Sequence, residues 1–360
     1  MNYMRRAVTL ASQALGSTSP NPAVGAVVVK NGEIVGEGFT QPPGGEHAEV
    51  VAINEAGPLA SGATLYVTLE PCNHTGRTPP CTDAIITSGI STVHAAILDP
   101  NPAVAGGGLE RLEGGGVRTH FGAEAAAVQG QLEAWLKFVT TGRPFITAKF
   151  AMSLDGKIAT HTGDSKWITG DKARWQVHKM RARTDAIMVG IGTVLADDPR
   201  LTTRDEKGNP LAHQPLRVVM DTLGRLPATA RLLKEPGETL LAVGLGVDLL
   251  QNGDRGKGPE IQQFPVRDGH IDLERLIEFL AAERDITSIM IEGGGTLLGA
   301  LFDLGLVDKV VAFVAPTVIG GSNAPSPVGG SGVEMMAEAL QLERVRWKRL
   351  GRDMLITGYC

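Results

Sequence analysis

Four residues in the first quarter of the chain have the types and spacing of a hydrolytic metal site. His47 and Glu49 stand two positions apart where a loop is predicted to meet a helix, and Cys72 and Cys81 follow with eight residues between them. Zinc favours nitrogen and sulfur ligands, and three protein ligands leave a fourth position for water. A carboxylate two residues from the histidine is well placed to move protons. The sequence therefore predicts His47, Cys72 and Cys81 as zinc ligands and Glu49 as the catalytic residue.

A second group of residues, in the last third of the chain, could hold a phosphate. Gly293, Gly294 and Gly295 directly follow the apolar residues 288–291 and precede a predicted helix. Such a loop offers backbone N–H groups and a helix N-terminus to an anion. The dinucleotide fingerprint G-x-G-x-x-G does not fit, because Leu298 occupies the place of its last glycine. The pattern predicts a phosphate cradle without a Rossmann fold.

The elements that must position the metal site alternate between helices and strands. Apolar residues at helical spacing predict a first helix within residues 1–16, and Asn31-Gly32 between apolar runs predicts a hairpin. Further along, the predicted strands are 24–29, 34–35, 64–69 and 93–98, and the predicted helices are 47–55, 81–87 and 123–139. Strands interleaved with helices indicate an α/β fold.

Residues 140–144 (TTGRP) interrupt this alternation and predict a domain boundary, with one domain at 1–143 and a second at 144–360. In the second domain the predicted strands are 145–150, 186–189, 216–220, 239–243, 288–291 and 310–314. The predicted helices are 172–182, 273–283 and 296–304. The polar residues 251–260 predict a surface loop.

Composition limits the classes of function. A chain of 360 residues is long enough for two domains, and three cysteines are too few for a disulfide framework, which favours a reducing compartment such as the cytoplasm. Residues 1–143 hold 8 Lys and Arg against 12 Asp and Glu, so a nucleic-acid partner is not expected. No apolar run approaches the roughly 20 residues of a membrane span.

The first half resembles the deaminase domain of the bifunctional deaminase–reductases of riboflavin biosynthesis. The resemblance rests on EPCNHTGRTPPC at 70–81, on PNPAVGA at 20–26 and on DPNP at 99–102. The long loop between the cysteines departs from the general zinc-deaminase pattern, which has two residues there. The resemblance implies a cytidine-deaminase-like three-layer α/β/α domain with Zn²⁺. The implied substrate contacts are Asn21, Arg77, Asp99 and Asn101, with Arg77 directed at the substrate phosphate. Relatives often have a histidine at the position of Thr40.

The second half resembles the reductase domain of the same family, which has a dihydrofolate-reductase-like fold and uses NADPH. The matching segments are KFAMSLDGK at 149–157, SKWIT at 165–169, GTVLADDP at 192–199 and EGG at 292–294. The implied NADPH contacts are Ala151, Trp167, Thr193, Asp197, Thr222, Gly294, Gly295 and Thr296. The implied substrate contacts are Lys149, Ser165, Arg181, Leu201, Arg204 and Glu292.

Together these resemblances imply one chain that catalyses two steps. The first is zinc-dependent hydrolytic deamination of a phosphoribosylated diaminopyrimidinone, and the second is NADPH reduction of its ribosyl side chain. They also imply small-molecule partners, no membrane and a homo-oligomer, either dimer or tetramer. One alternative is a tRNA- or nucleoside-type zinc deaminase with a non-catalytic accessory domain, which the acidic first half disfavours. Another is a structural zinc module, which an open three-ligand site disfavours.

Overall fold

The structure is a computed structural model that describes residues 2–76, 79–101, 107–247 and 258–360. The chain divides into two compact units, Met1–Pro144 and Phe145–Cys360, and each unit has its own large sheet. Within the described ranges, no helix combines the length and the apolar character that a membrane crossing requires. Most of the predicted polar loop at 251–260 lies outside the described residues.

The first unit is built on a five-stranded sheet. Its strands are β1 (Gly25–Lys30), β2 (Glu33–Phe39), β3 (Thr64–Leu69), β4 (Thr92–Ile97) and β5 (Arg118–Phe121), in the order β2-β1-β3-β4-β5. Strands β1 and β2 form the predicted hairpin around Asn31-Gly32, both of which have positive φ. Its helices are α1 (Tyr3–Ala14), α2 (Ala48–Ala56), α3 (Cys81–Thr87), α4 (Gly108–Gly114), α5 (Ala125–Gln131) and α6 (Glu133–Thr141).

Helices cover both faces of this sheet. A Cβ atom at Gly25 would lie 2.0 Å from the Ala7 carbonyl oxygen in α1, and one at Gly38 would lie 2.2 Å from the Ala48 carbonyl oxygen in α2. Gly25 is adjacent to Ala26, and Ala26 is paired with Gly38, so the two glycines face opposite sides of the sheet. Helices α1 and α2 therefore form the outer layers of the predicted three-layer α/β/α unit.

The second unit is built on a nine-stranded sheet in the order β10-β9-β8-β7-β13-β6-β14-β16-β15. Its strands are β6 (Phe145–Ser153), β7 (Ala186–Gly190), β8 (Leu216–Met220), β9 (Thr239–Gly244), β10 (Glu260–Phe264), β13 (Ser288–Glu292), β14 (Lys309–Ala315), β15 (Glu343–Leu350) and β16 (Asp353–Tyr359). A separate short ribbon pairs β11 (Val266–Arg267) with β12 (His270–Ile271). The helices are α7 (Asp171–Arg181), α8 (Ile191–Asp197), α9 (Leu273–Arg284) and α10 (Gly295–Asp303).

Seven neighbouring strands, from β10 to β14, run parallel. At one edge β16 pairs antiparallel with β14, and β15 pairs antiparallel with β16. Apolar residues of α9 and α10 pack against one face of the sheet with Ala312, while Val177 of α7 packs against the other face with Phe313. Because the carboxyl ends of parallel strands meet at one edge, the loops after β6, β7, β8 and β13 lie on the same side of this unit.

The α/β class predicted from the sequence is confirmed, but the prediction of one long helix is wrong. The helix predicted over 123–139 is two helices, α5 and α6, separated at Leu132, whose φ of −98° and ψ of 13° leave the helical range. This break lets the buried side chains of Leu132 and Trp135 pack into one core. Helices α4 and α8 and strands β5, β10, β11, β12, β15 and β16 were not predicted, because they lack long buried apolar runs.

Candidate functional site

The three predicted metal ligands lie together in the first unit. His47 Nδ1 lies 3.2 Å from Cys81 Sγ and 3.5 Å from Cys72 Sγ. All three ligand atoms lie within 4.8 Å of one another. A tetrahedral zinc ion with ordinary bond lengths needs ligand atoms separated by about 3.5 to 3.8 Å. The donor set and its spacing therefore fit zinc.

Each ligand sits where a regular element begins or ends. His47 caps α2 in an extended conformation, Cys72 follows β3 and Pro71, and Cys81 is the first residue of α3. The backbone N–H of Cys81 donates a hydrogen bond to Cys72 Sγ at 3.3 Å. The neighbouring Cys81 thiol, His47 and this backbone N–H together lower the pKa of Cys72 to about 4. The hydrogen bond between the two thiols raises the pKa of Cys81, so the pair favours one thiolate, at Cys72, which is the form that binds metal.

Glu49 is the second residue of α2, and its side chain is buried beside the metal ligands. Burial, with a smaller contribution from Cys72, raises the pKa of Glu49 to about 7. The carboxyl group also shares a hydrogen bond with the Cys81 thiol. A carboxyl group with this pKa can both accept and release a proton near neutral pH.

Of the residues predicted to contact the pyrimidine, the structure relates only some to the metal-ligand cluster. Asp99 follows β4, is partly buried and accepts the Asn101 backbone N–H on Oδ1 at 2.8 Å. Burial raises the pKa of Asp99, and Glu70 and Cys72 raise it further, so Asp99 lies within electrostatic reach of a metal ligand. Asn21 lies in a turn before β1, where its N–H donates to the Thr18 carbonyl at 2.7 Å. Its contact with substrate stays a prediction, and Arg77 lies outside the described residues.

Thr40, where relatives often have a histidine, is buried and joins two strand ends. Its hydroxyl oxygen accepts the Val24 N–H at 3.0 Å, and its own N–H donates to the Val24 carbonyl at 2.9 Å. The Thr40 side chain thus fastens the end of β2 to the start of β1.

In the second unit a buried carboxylate gathers two predicted substrate-binding cations. Glu292, the last residue of β13, accepts hydrogen bonds from Arg181 Nε on Oε1 at 2.6 Å and from Arg181 Nη2 on Oε2 at 2.9 Å. Lys149 Nζ donates to Oε2 at 3.2 Å. Burial by itself raises the pKa of Glu292, but Arg181 and Lys149 outweigh that effect and lower it to about 2. Glu292 therefore stays ionised and holds both cations in place.

Thr202 extends this group to a third predicted substrate-binding cation, Arg204. Its carbonyl oxygen accepts Arg181 Nη1 at 3.0 Å and the ring nitrogen Nδ1 of His178 at 3.1 Å. Its hydroxyl oxygen accepts Arg204 Nε at 2.9 Å. Leu201, beside it, is buried with a positive φ of 52°.

Sequence reasoning missed Thr202, His178 and Glu235. Glu235 pairs with Arg204 at 3.4 Å and also with Arg200 at 3.2 Å. For His178 the sequence did offer a signal: it stands three residues before Arg181 on the same helix, so the two side chains are neighbours.

The glycine loop after β13 lies against Thr193, the predicted cofactor residue in α8. Gly293 and Gly294 have φ of 113° and 87°, and a Cβ atom on either would lie 3.2 or 3.3 Å from Thr193 Oγ1. Helix α10 begins at the half-buried Gly295, and Thr296, which follows, is exposed. A helix start with an exposed Thr296, preceded by two side-chain-free positions, fits a cofactor phosphate.

Other predicted reductase residues lie at the same edge of the sheet. Ser165 Oγ donates to Asp197 Oδ1 at 2.8 Å, which joins a predicted substrate residue to a predicted cofactor residue. Trp167 is largely exposed, with the Arg174 guanidinium 4.6 Å from its ring centroid. Ala151 lies near the end of β6, and Thr222 follows β8, where its carbonyl oxygen accepts the Gly244 N–H at 3.1 Å.

Comparison with protein families assigns both halves. Residues 1–97 match the family model of the cytidine and deoxycytidylate deaminase zinc-binding region, and residues 144–356 match that of the RibD C-terminal domain. The second half is therefore a reductase domain and not a non-catalytic accessory domain.

Relatives match over nearly the whole chain. The riboflavin biosynthesis protein RibD of Actinobacillus pleuropneumoniae is 41% identical over 99% of this chain and 94% of its own, and that of Escherichia coli (strain K12) is 42% identical over 98% and 97%. The structure of Acinetobacter baumannii RibD is similar with a TM-score of 0.88 at 37% identity, covering 99% of this chain and 97% of that one.

A Thermotoga maritima structure is similar with a TM-score of 0.86 at 38% identity, covering 99% of this chain and 97% of its own. That protein is described as a diaminohydroxyphosphoribosylaminopyrimidine deaminase and 5-amino-6-(5-phosphoribosylamino)uracil reductase. Identity and coverage of this extent show common family membership along the whole chain. The chain therefore belongs to the RibD family and is a bifunctional deaminase and reductase of riboflavin biosynthesis.

Proposed function

We propose that this chain converts 2,5-diamino-6-(5-phosphoribosylamino)pyrimidin-4(3H)-one into 5-amino-6-(5-phosphoribitylamino)uracil in two steps. The first removes an amino group by hydrolysis, and the second reduces the ribosyl side chain with NADPH. The observation that carries the proposal is the buried Glu49 carboxyl group beside a His47, Cys72 and Cys81 cluster with zinc spacing. The activities printed for the Thermotoga maritima relative support the choice of substrates.

In the deamination, Glu49 carries the proton. His47, Cys72 and Cys81 would hold zinc, which would act as a Lewis acid and lower the pKa of a water molecule. Glu49 takes a proton from the attacking water as the oxygen bonds to the ring carbon, and it then protonates the leaving amine as the C–N bond breaks. Asp99 and Asn101, together with Asn21 and Arg77, are proposed to hold the pyrimidine and its ribose phosphate.

In the reduction, the chain binds and orients both reactants. Bound NADPH would supply the hydride for C1′ of the open-chain imine and leave as NADP⁺, while the imine nitrogen would take up one proton. The glycine loop, with Thr193, is proposed to hold a cofactor phosphate. Arg181 and Arg204 are proposed to bind the substrate phosphate, since a guanidinium group can donate two hydrogen bonds to it.

The remaining assignments follow from these roles. We assign the deaminase to residues 1–143 and the reductase to residues 144–360. The reducing compartment, such as the cytoplasm, that the small number of cysteines favours stays a prediction. A homo-oligomer, and the lack of a nucleic-acid partner, stay predictions.

The proposal is tested by following NADPH absorbance with the full chain, zinc and the diaminopyrimidinone phosphate. We expect NADPH consumption by the unaltered chain. Glu49→Gln should bind zinc normally and consume no NADPH until the deaminated uracil is supplied, because only the first step needs the Glu49 carboxyl group. Consumption by Glu49→Gln at the unaltered rate with the diamino substrate would remove Glu49 from the mechanism, and no consumption by either chain would reject the substrate.

A further inference from the structure

Glu70 is a buried acid on the segment that carries Cys72, and it takes no part in the mechanism described above. Its carboxylate oxygens accept two backbone hydrogen bonds. Oε2 accepts the N–H of Asp99 at 3.0 Å, and Oε1 accepts the N–H of Leu109 at 3.1 Å. One carboxylate therefore binds the backbone of Asp99, just after β4, and that of Leu109 in α4.

A second contact involves Gly108, the residue before Leu109, which lies close to Glu70 and Pro71. A Cβ atom at Gly108 would lie 2.1 Å from the Pro71 carbonyl oxygen and 3.2 Å from Glu70 Oε1. Only glycine allows the backbone to come so close to Glu70 and Pro71. Gly108 thus packs directly against Glu70 and Pro71, the two residues before Cys72.

Both backbone hydrogen bonds are accepted by a carboxyl group that is buried. Leu109 is in the first turn of α4, where backbone N–H groups have no partner within the helix. Glu70 is only 6% exposed, so removing its oxygens leaves backbone N–H groups without their buried acceptor. Replacements of Glu70 should therefore loosen the backbone at Asp99 and at Leu109 more than they disturb the strand before Glu70.

We infer that Glu70 is a positioning residue of the deaminase, which fixes the backbone at Asp99 so that Asp99 and Asn101 meet the substrate. This inference rests on the proposed function, because it takes Asp99 and Asn101 as substrate contacts. Neither of the two hydrogen bonds that the Glu70 carboxylate accepts involves Glu49 or a metal ligand. Loss of the Glu70 carboxylate therefore acts on substrate binding and spares the chemical step.

The test measures deamination kinetics of Glu70→Gln and Glu70→Ala in the full zinc-loaded chain. Glu110→Gln is the matched control, since Glu110 lies exposed in the first turn of the same helix α4. We expect KM for the diamino substrate to rise about tenfold or more in Glu70→Ala, less in Glu70→Gln, and not at all in Glu110→Gln. The kcat for deamination and the zinc content should remain unchanged.

Two further readouts separate positioning from general damage. The amide hydrogens of Asp99 and Leu109 should exchange faster in both Glu70 variants, and reduction of the deaminated uracil should proceed at the unaltered rate. Loss of zinc, or a fall in kcat with constant KM, would show that Glu70 supports the metal segment and would overturn the inference. Unchanged kinetics in Glu70→Ala would overturn it as well. No deamination by the unaltered chain would instead count against the proposed function.

Discussion

Two buried glutamates, one in each site, show how surroundings assign different roles to the same side chain. For Glu49, burial is the largest influence and raises its pKa to about 7. Glu292 is equally enclosed, but Arg181 and Lys149 lower its pKa to about 2. The first can exchange a proton near neutral pH, whereas the second is a permanent anion that positions cations. The proton delivered during reduction must therefore come from a group other than Glu292.

The pairing of Glu292 predicts a pH-dependent contribution to stability. Its pKa in the folded chain, about 2, lies below the ordinary value of 4.5. The stabilisation is therefore fully present above about pH 4.5 and is lost as the pH falls towards 2. We expect Glu292→Gln to be less stable than the unaltered chain by about 3 kcal/mol at neutral pH, with the difference shrinking below pH 4.5.

Thermal unfolding of both chains between pH 3 and 7 measures this difference. Glu278→Gln is the control, since Glu278 is exposed and its pair with Arg275 is a surface ion pair. A destabilisation of Glu292→Gln that stays constant over the whole range would show that the charge of Glu292 does not carry the effect.

Only residues linked by local spacing could be predicted as a physical group. His47 and Glu49 lie at one helix start, and the two cysteines lie at the ends of one loop, so their chemistry was visible in the sequence. Arg181 and Glu292 are 111 positions apart, and their contact depends on β13 lying between β6 and β7. Nothing in the pattern of the sequence gives that strand order, so these two residues were assigned by resemblance alone.

At the scale of elements, the seating of α2 on β2 decides where the metal site forms. Gly36 and Gly38 of β2 lie under α2, and a Cβ atom on either would lie about 2 Å from a backbone carbonyl oxygen of the helix (2.1 Å from Ala52, 2.2 Å from Ala48). The start of α2 carries His47 and Glu49. A small displacement of this helix therefore moves a metal ligand and the proton carrier together.

We predict that Gly38→Ala destabilises the first unit by about 1 to 3 kcal/mol, because the new methyl group overlaps the α2 backbone. Zinc affinity and deamination should fall, while reduction of the deaminated uracil stays unchanged. Gly130→Ala is the matched control, since Gly130 is exposed in α5 with open space around it, and alanine there should be neutral or stabilising by up to about 1 kcal/mol. The measurements are urea unfolding, zinc content and both activities. A Gly38→Ala chain with normal deamination would contradict the role of this close contact.

Helices and strands could be predicted where apolar residues recur at the spacing of a single helix or strand, and were missed where the sequence lacks that pattern. Strands β3 and β8 and helix α3 have the bounds that the sequence predicts, because short apolar runs end at clear breaks. Strand β15 was missed because seven of its eight residues are exposed, so its sequence shows no buried face. The division of α5 from α6 was missed because local preference favours one helix, whereas packing of Leu132 and Trp135 favours a turn.

At the scale of the whole molecule, each unit has its own sheet and its own buried core. One core cluster lies entirely within the first unit, between Met4 and Trp135, and the other three lie within the second. Both predicted sites are likewise complete within one unit, apart from residues that the structure does not describe. A unit with its own core and its own site meets the physical conditions for folding and acting separately.

We therefore predict that a fragment of residues 145–360 folds and oxidises NADPH when it is given the deaminated uracil. Its kcat/KM should lie within about threefold of the full chain, since every described reductase residue is present. The full chain carrying Glu49→Gln is the control, because it has the same reductase and no deaminase. Circular dichroism and a cooperative thermal transition establish that the fragment is folded. A folded but inactive fragment would mean that the reductase site needs the first unit, and independent action of the two units would then be wrong.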